Sequence, residues 1–207
     1  MALSGGSSPR GVYSLLANDQ SNPHTQLPWG KVFIFFGDER HVPPNHPDSN
    51  YRMASESLLS KVPVPPQNVF RVFAELDANE AAQKYEDQLR SFFGLRLNDC
   101  PRFDLIMLGL GPDGHTASLF PDSKALDENV RLVVANWVEK FQQYRITFTF
   151  PVLNHAAEVM FLVAGGDKAQ ILKDVLNPET SQFPAQKVLP ENGKLLWLLD
   201  QDAASLL

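Results

Sequence analysis

The sequence predicts an α/β fold in which a mainly parallel sheet is covered by helices on both faces, and three observations predict it. Several short apolar runs rich in Val, Ile, Leu and Phe lack the strict alternation of a half-exposed strand, which suits strands buried on both sides. Helical periods lie between those runs. The runs also end in polar, glycine-bearing segments, the places where open sheets of this class hold ligands.

Met1 to Leu3 is a short strand-like stub that opens into the turn Ser4-Gly5-Gly6-Ser7-Ser8-Pro9, whose proline suits a first helical turn. Val32 to Phe36 reads as the next strand, and Tyr51 to Leu59 as a helix. In Asn79 to Phe93 the residues Ala81, Ala82, Tyr85, Leu89, Phe92 and Phe93 fall on one stripe, while Glu80, Lys84, Asp87, Gln88 and Arg90 face away. Leu105 to Leu108 is a buried strand. Arg131 to Val134 and Arg145 to Phe150 are further strands, the second alternating Ile146, Phe148 and Phe150 against Thr147 and Thr149. Val159 to Ala164 leads through Gly165-Gly166 to a helix over Asp167 to Leu176, which stops before Pro178. Leu195 to Leu199 is the last strand. The 16 prolines concentrate in connections, and no linker-like composition break or repeat divides the chain, so residues 1–207 are expected to form one domain.

With 43% hydrophobic and 20% charged residues, the chain is neither disordered nor a disulfide-stapled miniprotein. Its single cysteine, Cys100, has no partner for an intramolecular bridge and fits a reducing compartment. No apolar run reaches the ~18 residues of a membrane span, and Met1 to Ser8 lacks the basic start and apolar stretch of a signal peptide. A cytoplasmic protein with no membrane partner is expected. The net charge of -6, without a Lys/Arg cluster, argues against nucleic acid as a partner. An anionic small molecule would need basic residues gathered locally against that background.

Four strand ends carry the candidates. Ser4 to Ser7 either presents backbone N–H groups and hydroxyls to a phosphate at a helix N-terminus, or is a tight turn with a serine cap. It is not a Walker A loop, because no Gly-Lys-Ser/Thr follows. In Asp38-Glu39-Arg40, Arg40 either forks onto a phosphate or carboxylate or forms an ion pair on a solvated loop. The nearby His41, His46 and Asp48 match no metal-ligand spacing and read as surface residues.

Gly109 to Gly114 formally matches G-x-G-x-x-G, but Pro112 intrudes on the turn, and the next strand runs into Ala135-Asn136 where a ribose-binding acid would stand. What this turn presents is Asp113 and His115. A neutral imidazole can accept a proton from water, and a neighbouring carboxylate can orient it. Lys168 sits at a helix start, a poor place for a cation unless an anion binds there. Arg145 is either a further positive contact or a surface ion pair. His24, His155, Trp29, Trp137 and Trp197 belong to no motif, and packing is their expected role.

In order along the chain, Ser-Gly-Gly-Ser at 4–7, Gly37-Asp38-Glu39-Arg40, Asp48-Ser49-Asn50-Tyr51, the block from Gly109 to Pro121 and Arg145-Ile146-Thr147 resemble the 6-phosphogluconolactonases, from Ser4 to about Leu199. The resemblance implies a Rossmann-like sheet and hydrolysis of 6-phospho-D-glucono-1,5-lactone to 6-phosphogluconate, in the oxidative pentose phosphate pathway. It implies no nicotinamide and no obligatory metal. It makes His115 the general base, places Asp38 and Asp113 near the sugar or the histidine, and gives Arg40, Lys168 and the turn Ser4, Gly5, Gly6, Ser7 to the 6-phosphate, with Arg145 as a further contact. The substrate partner is thus a small sugar-phosphate lactone, and a monomer is favoured.

That family ordinarily starts earlier, with a strand and a helix before Ser-Gly-Gly, so the sheet is expected to lack its usual first strand and helix. Two alternatives stand beside the lactonase: an amino-sugar-phosphate isomerase/deaminase and a non-catalytic sugar-phosphate-binding module. In deaminases resembling this chain an acid precedes the proline at 121; here Phe120 stands there and is expected to pack against the sheet. Ser118 lies outside any G-x-S-x-G elbow and receives no nucleophile role.

Overall fold

The computed structural model describes residues 1–18, 27–177, 179 and 182–207, so His24 lies outside the described residues. The chain runs through β1 (Ala2–Leu3), α1 (Ser7–Asn18), β2 (Phe35–Phe36), β3 (Asp38–Arg40), α2 (Asn50–Ala54), α3 (Ala78–Phe93), β4 (Ile106–Leu108), β5 (Val133–Val138), β6 (Gln143–Phe148), α4 (Phe150–Asn154), β7 (Glu158–Val163), α5 (Ala169–Leu176) and β8 (Lys194–Leu199). Five strands form a parallel sheet in the order β2-β1-β4-β7-β8.

Because side chains alternate across a strand, each short strand feeds two cores. Leu3, Phe36, Met107 and Leu162 meet α1 and α2 on one face, through Tyr13, Met53 and Ala54. Ala2, Phe35, Ile106, Leu108 and Phe161 meet α3 and α5 on the other, through Tyr85, Leu89, Ile171 and Leu172. The expected parallel sheet with helices on both faces is what forms.

A second sheet of three strands, β3-β6-β5, is antiparallel and packs through Val133, Ile146 and Phe148 onto the α3 side. Asp38 to Arg40 is expected as the loop after a strand, but the chain pairs again immediately, with Asp38 opposite Thr147 and Arg40 opposite Arg145. Asp38 and Arg40 of this strand border a cleft, while Glu39 between them is buried.

Several boundaries shift for local reasons. Val32 to Phe36 is a strand only at Phe35–Phe36, since a 3-10 turn occupies Trp29–Lys31 and Ile34 bridges to Val69 instead. The strand read at Arg131 to Val134 starts later and continues to Val138, while the one read at Arg145 to Phe150 starts at Gln143 and stops at Phe148. Phe150 opens α4, with Pro151 in its first turn. The helix at Tyr51 to Leu59 is α2 extended by a π-helical turn, Ser55–Leu59. A 3-10 turn, Gly166–Lys168, precedes α5.

Leu195 to Leu199 departs furthest from expectation. β8 is the sheet edge, and Leu195, Leu196 and Leu198 are 36%, 44% and 50% exposed rather than buried on both faces.

The helix α3 shows how sequence sets an element. Asp77 caps it by accepting from the N–H groups of Asn79 and Glu80 at 2.9 and 3.3 Å, and Gly94 ends it in the left-handed region at φ 64°. Of the expected stripe, Ala81, Ala82, Tyr85 and Leu89 are buried, whereas Phe93 is only partly covered and Phe92 is 37% exposed near the helix end. Glu86 is buried with them, and its carboxylate joins Arg90 and Arg131 and accepts from the N–H groups of Leu132 and Val133 where β5 starts.

Candidate active site

Parallel strands deliver their carboxyl ends to one rim, and there the polar turns meet. A cleft of about 220 Å³ is lined by Ser4, Gly5, Gly6 and Ser7 after β1, Asp38 and Arg40 on β3, His115 after β4 and Lys168 after β7. Eight of the ten candidates from sequence therefore share one surface. A cavity of about 800 Å³ lies elsewhere, beside Trp137 and Tyr144, and contains none of them.

The turn after β1 is fixed from below. The buried Tyr13 hydroxyl accepts from the Ser4 N–H at 2.8 Å and donates to the Ser4 carbonyl at 2.9 Å, replacing ladder partners that the strand end lacks. Gly5 has no side chain because the Asn50 amide fills that space. The turn then delivers the N-terminus of the 12-residue α1, with no acid in its first turn, to the cleft. Such an end attracts an anion.

On β3, both Asp38 carboxylate oxygens are engaged: Ser118 Oγ donates at 2.7 Å and Asn50 Nδ2 at 3.2 Å. Neighbouring Glu39 points inward and caps α2, accepting from the N–H groups of Asn50 and Tyr51 at 2.7 and 2.8 Å. Burial raises its carboxyl above the ordinary range despite those donors. Arg40 donates to the Asp48 carbonyl at 2.6 Å and lines the cleft. Lys168 is mostly covered, 19% exposed at its side chain, and stands 3.7 Å from the exposed carboxylate of Asp167.

The loop after β4 folds into a tight turn, with the Gly111 N–H donating to the His115 carbonyl at 2.9 Å and the Gly114 N–H to Gly111 at 3.1 Å. His115 Nδ1 meets Asp113 Oδ1 at 2.5 Å. With Nδ1–H donated to that carboxylate, Nε2 is the ring's basic atom. Burial holds the imidazole below its ordinary value of 6.5, with Asp113 opposing the shift. Burial would raise the Asp113 carboxyl, but its bonds and charge attraction to His115, with Lys140 behind, keep it below the usual carboxylate value. Asp113 thus stands behind the histidine rather than in the cleft.

Arg145 lies opposite Arg40 in the β3–β6 pairing, but its guanidinium is drawn over the Phe141 ring, 5.0 Å from the centroid, and it does not line the cleft. Phe120 packs against the imidazole, ring centroids 4.0 Å apart, rather than against the sheet. His41 turns away to the Leu76 carbonyl, while His46 stays beside Asp48 at 3.7 Å. Tyr13, Asn50, Ser118 and Lys140 are the supports that sequence reading does not assign. Asn50 and Ser118 lie in motifs singled out there, though without these roles, and nothing in the spacing of Tyr13 and Lys140 marks them.

The model for glucosamine-6-phosphate isomerases/6-phosphogluconolactonase matches residues 1–197. A Synechocystis 6-phosphogluconolactonase is 45% identical over 206 residues, covering 98% of this chain and 82% of that protein. The chain belongs to the 6-phosphogluconolactonase family. The human 6-phosphogluconolactonase is 41% identical over 214 residues, covering 100% of this chain and 80% of its own length. The solved 6-phosphogluconolactonase of Trypanosoma cruzi superposes with a TM-score of 0.86 at 32% identity, covering 100% of this chain and 83% of that one. In this member of the 6-phosphogluconolactonase family, no helix among the described residues is long and apolar enough to cross a membrane.

Proposed function

We propose that this cleft hydrolyses 6-phospho-D-glucono-1,5-lactone to 6-phosphogluconate, the lactonase step of the oxidative pentose phosphate pathway, with His115 as the general base. The observation that carries the reading is the His115–Asp113 pair set on the same small cleft as Arg40, Lys168 and the N-terminus of α1. The two cations and the helix end hold the 6-phosphate, and Asp38, oriented by Ser118 and Asn50, accepts a sugar hydroxyl. His115 Nε2 takes a proton from water as its oxygen bonds to the lactone carbonyl carbon. The tetrahedral adduct then breaks the bond to the ring oxygen, which receives the proton from the imidazolium.

The new carboxylic acid ionises, so each turnover releases one proton. An activated ester needs little more, since a placed base contributes ~10²–10⁴-fold and phosphate anchoring supplies orientation. The stacking of Phe120 on His115 favours lactone hydrolysis over amino-sugar isomerisation, because a phenyl ring moves no proton. A monomer acting in the cytoplasm is part of the same proposal.

The test is discrimination between the phosphorylated lactone and glucono-1,5-lactone. Arg40→Ala and Lys168→Ala are expected to weaken use of the phosphorylated substrate by ~1.5–3 kcal/mol each, with little effect on the unphosphorylated one. Unchanged discrimination in both variants overturns the phosphate assignment, and ammonia release from glucosamine 6-phosphate overturns the lactonase reading.

A further inference from the structure

Lys140 stands at the tip of the β5–β6 hairpin, in the short helical turn Glu139–Phe141. Its Nζ lies 3.3 Å from Asp113 Oδ2, while the other oxygen of that carboxylate holds His115 Nδ1. The next residue, Phe141, meets Phe120 edge-on with centroids 5.8 Å apart, and Phe120 stacks on the imidazole. The hairpin tip therefore touches both the carboxylate and the ring that back the base, without itself lining the cleft. Its own side chains face water, Lys140 at 57% and Phe141 at 46% exposure.

We propose that Lys140 is a positioning residue, which pins the second oxygen of Asp113 and so fixes the carboxylate on His115. The inference rests on His115 being the base. A carboxylate held at one oxygen swings about its Cβ–Cγ bond, whereas one held at both keeps its plane and presents a constant acceptor to Nδ1. An isolated surface ion pair contributes only ~0.2–1 kcal/mol, and what distinguishes this one is that its acid also holds the base. The charged groups around His115 are Asp113 on its own loop, Asp38 on β3 and Lys140 on the hairpin, with Arg40 and Lys168 across the cleft. Removing the ammonium deletes a positive charge and leaves the carboxylates of Asp113 and Asp38 to act on the imidazole without it. His115 then keeps its proton to higher pH.

The experiment compares pH profiles of kcat and kcat/KM for the full chain and for Lys140→Met and Lys140→Arg. Lys140→Met is expected to lower kcat roughly two- to fivefold, the kinetic equivalent of such a pair, with KM unchanged. Its acid limb of kcat/KM moves to higher pH, Lys140→Arg restores both quantities, and in an Asp113→Asn background Lys140→Met lowers kcat no further. Salt moves the acid limb of the unsubstituted protein toward that of Lys140→Met. Wild-type kcat and acid limb in Lys140→Met, or a raised KM alone, overturn the proposal. Near-native turnover in His115→Ala overturns the reading beneath it instead, so the two failures are distinguishable.

Discussion

Gly111 lacks a side chain where the His115 ring needs the room: a Cβ there would overlap the imidazole at Cε1 and Nδ1. Gly111→Ala is expected to fold and bind, yet to lose roughly 10²-fold in kcat, because a base misplaced by about an ångström loses that much. Steady-state kinetics beside a thermal melt check this, and unchanged kcat would refute it. The imidazole's lowered proton affinity gives a second expectation. A general base acts in its neutral form, so with His115 as the proposed base the acid limb of kcat/KM should lie below the 6.5 of an ordinary histidine. A limb at or above that value would contradict the burial account. His115 and Asp113 are legible in sequence because one glycine turn carries both. Lys140 and Tyr13 are not, since each reaches the site from an element whose placement only the fold determines, and the role of Ser118, though in the same block as His115, depends on where β3 brings Asp38.

At the scale of elements, the site depends on strand ends held by side chains where the ladder stops. Tyr13 on α1 clamps Ser4, and Tyr85 on α3 likewise accepts from the Phe36 N–H at 2.7 Å and donates to its carbonyl at 3.0 Å. Tyr13→Phe leaves both Ser4 groups unpaired in a buried place. It is expected to cost ~1–3 kcal/mol in denaturant unfolding and to raise KM more than it lowers kcat. Unchanged stability would show the clamp to be idle.

Glu86 ties α3 to the start of β5, and Arg131 and Arg90 lower its carboxyl against the opposing effect of burial. A carboxyl lowered in the folded state adds stability that is present above the ordinary 4.5 and disappears as pH falls. Glu86→Gln should therefore flatten the acid side of the stability–pH curve, as denaturant melts from pH 6 down to pH 3 would register.

The parallel strands and α3 were readable from apolar runs and a helical stripe. The antiparallel sheet was only half readable. β5 and β6 show as strands, but nothing local reveals that Asp38 to Arg40, charged and directly after a strand, pairs again. The exposed β8 reads as a buried strand in sequence because an apolar run looks the same at an edge as at a centre.

Over the whole molecule, a net charge of -6 surrounds a cleft whose lining carries Arg40 and Lys168 beside a helix N-terminus. A dianionic phosphate is attracted locally against an unfavourable global field, and salt screens the exposed part of that attraction. KM should rise with ionic strength while kcat holds on the pH plateau. The same two apolar cores that cover the parallel sheet put every loop of the cleft on one rim, and this is why motifs more than a hundred residues apart in sequence meet there.

In the proposed mechanism His115 draws the proton from the attacking water. The most direct measurement is the rate of 6-phosphogluconate formation above spontaneous lactone opening, at saturating substrate, for the protein and for His115→Ala. The expected result is a loss of ~10²–10⁴-fold with product affinity kept. Near-native turnover by the variant would contradict it.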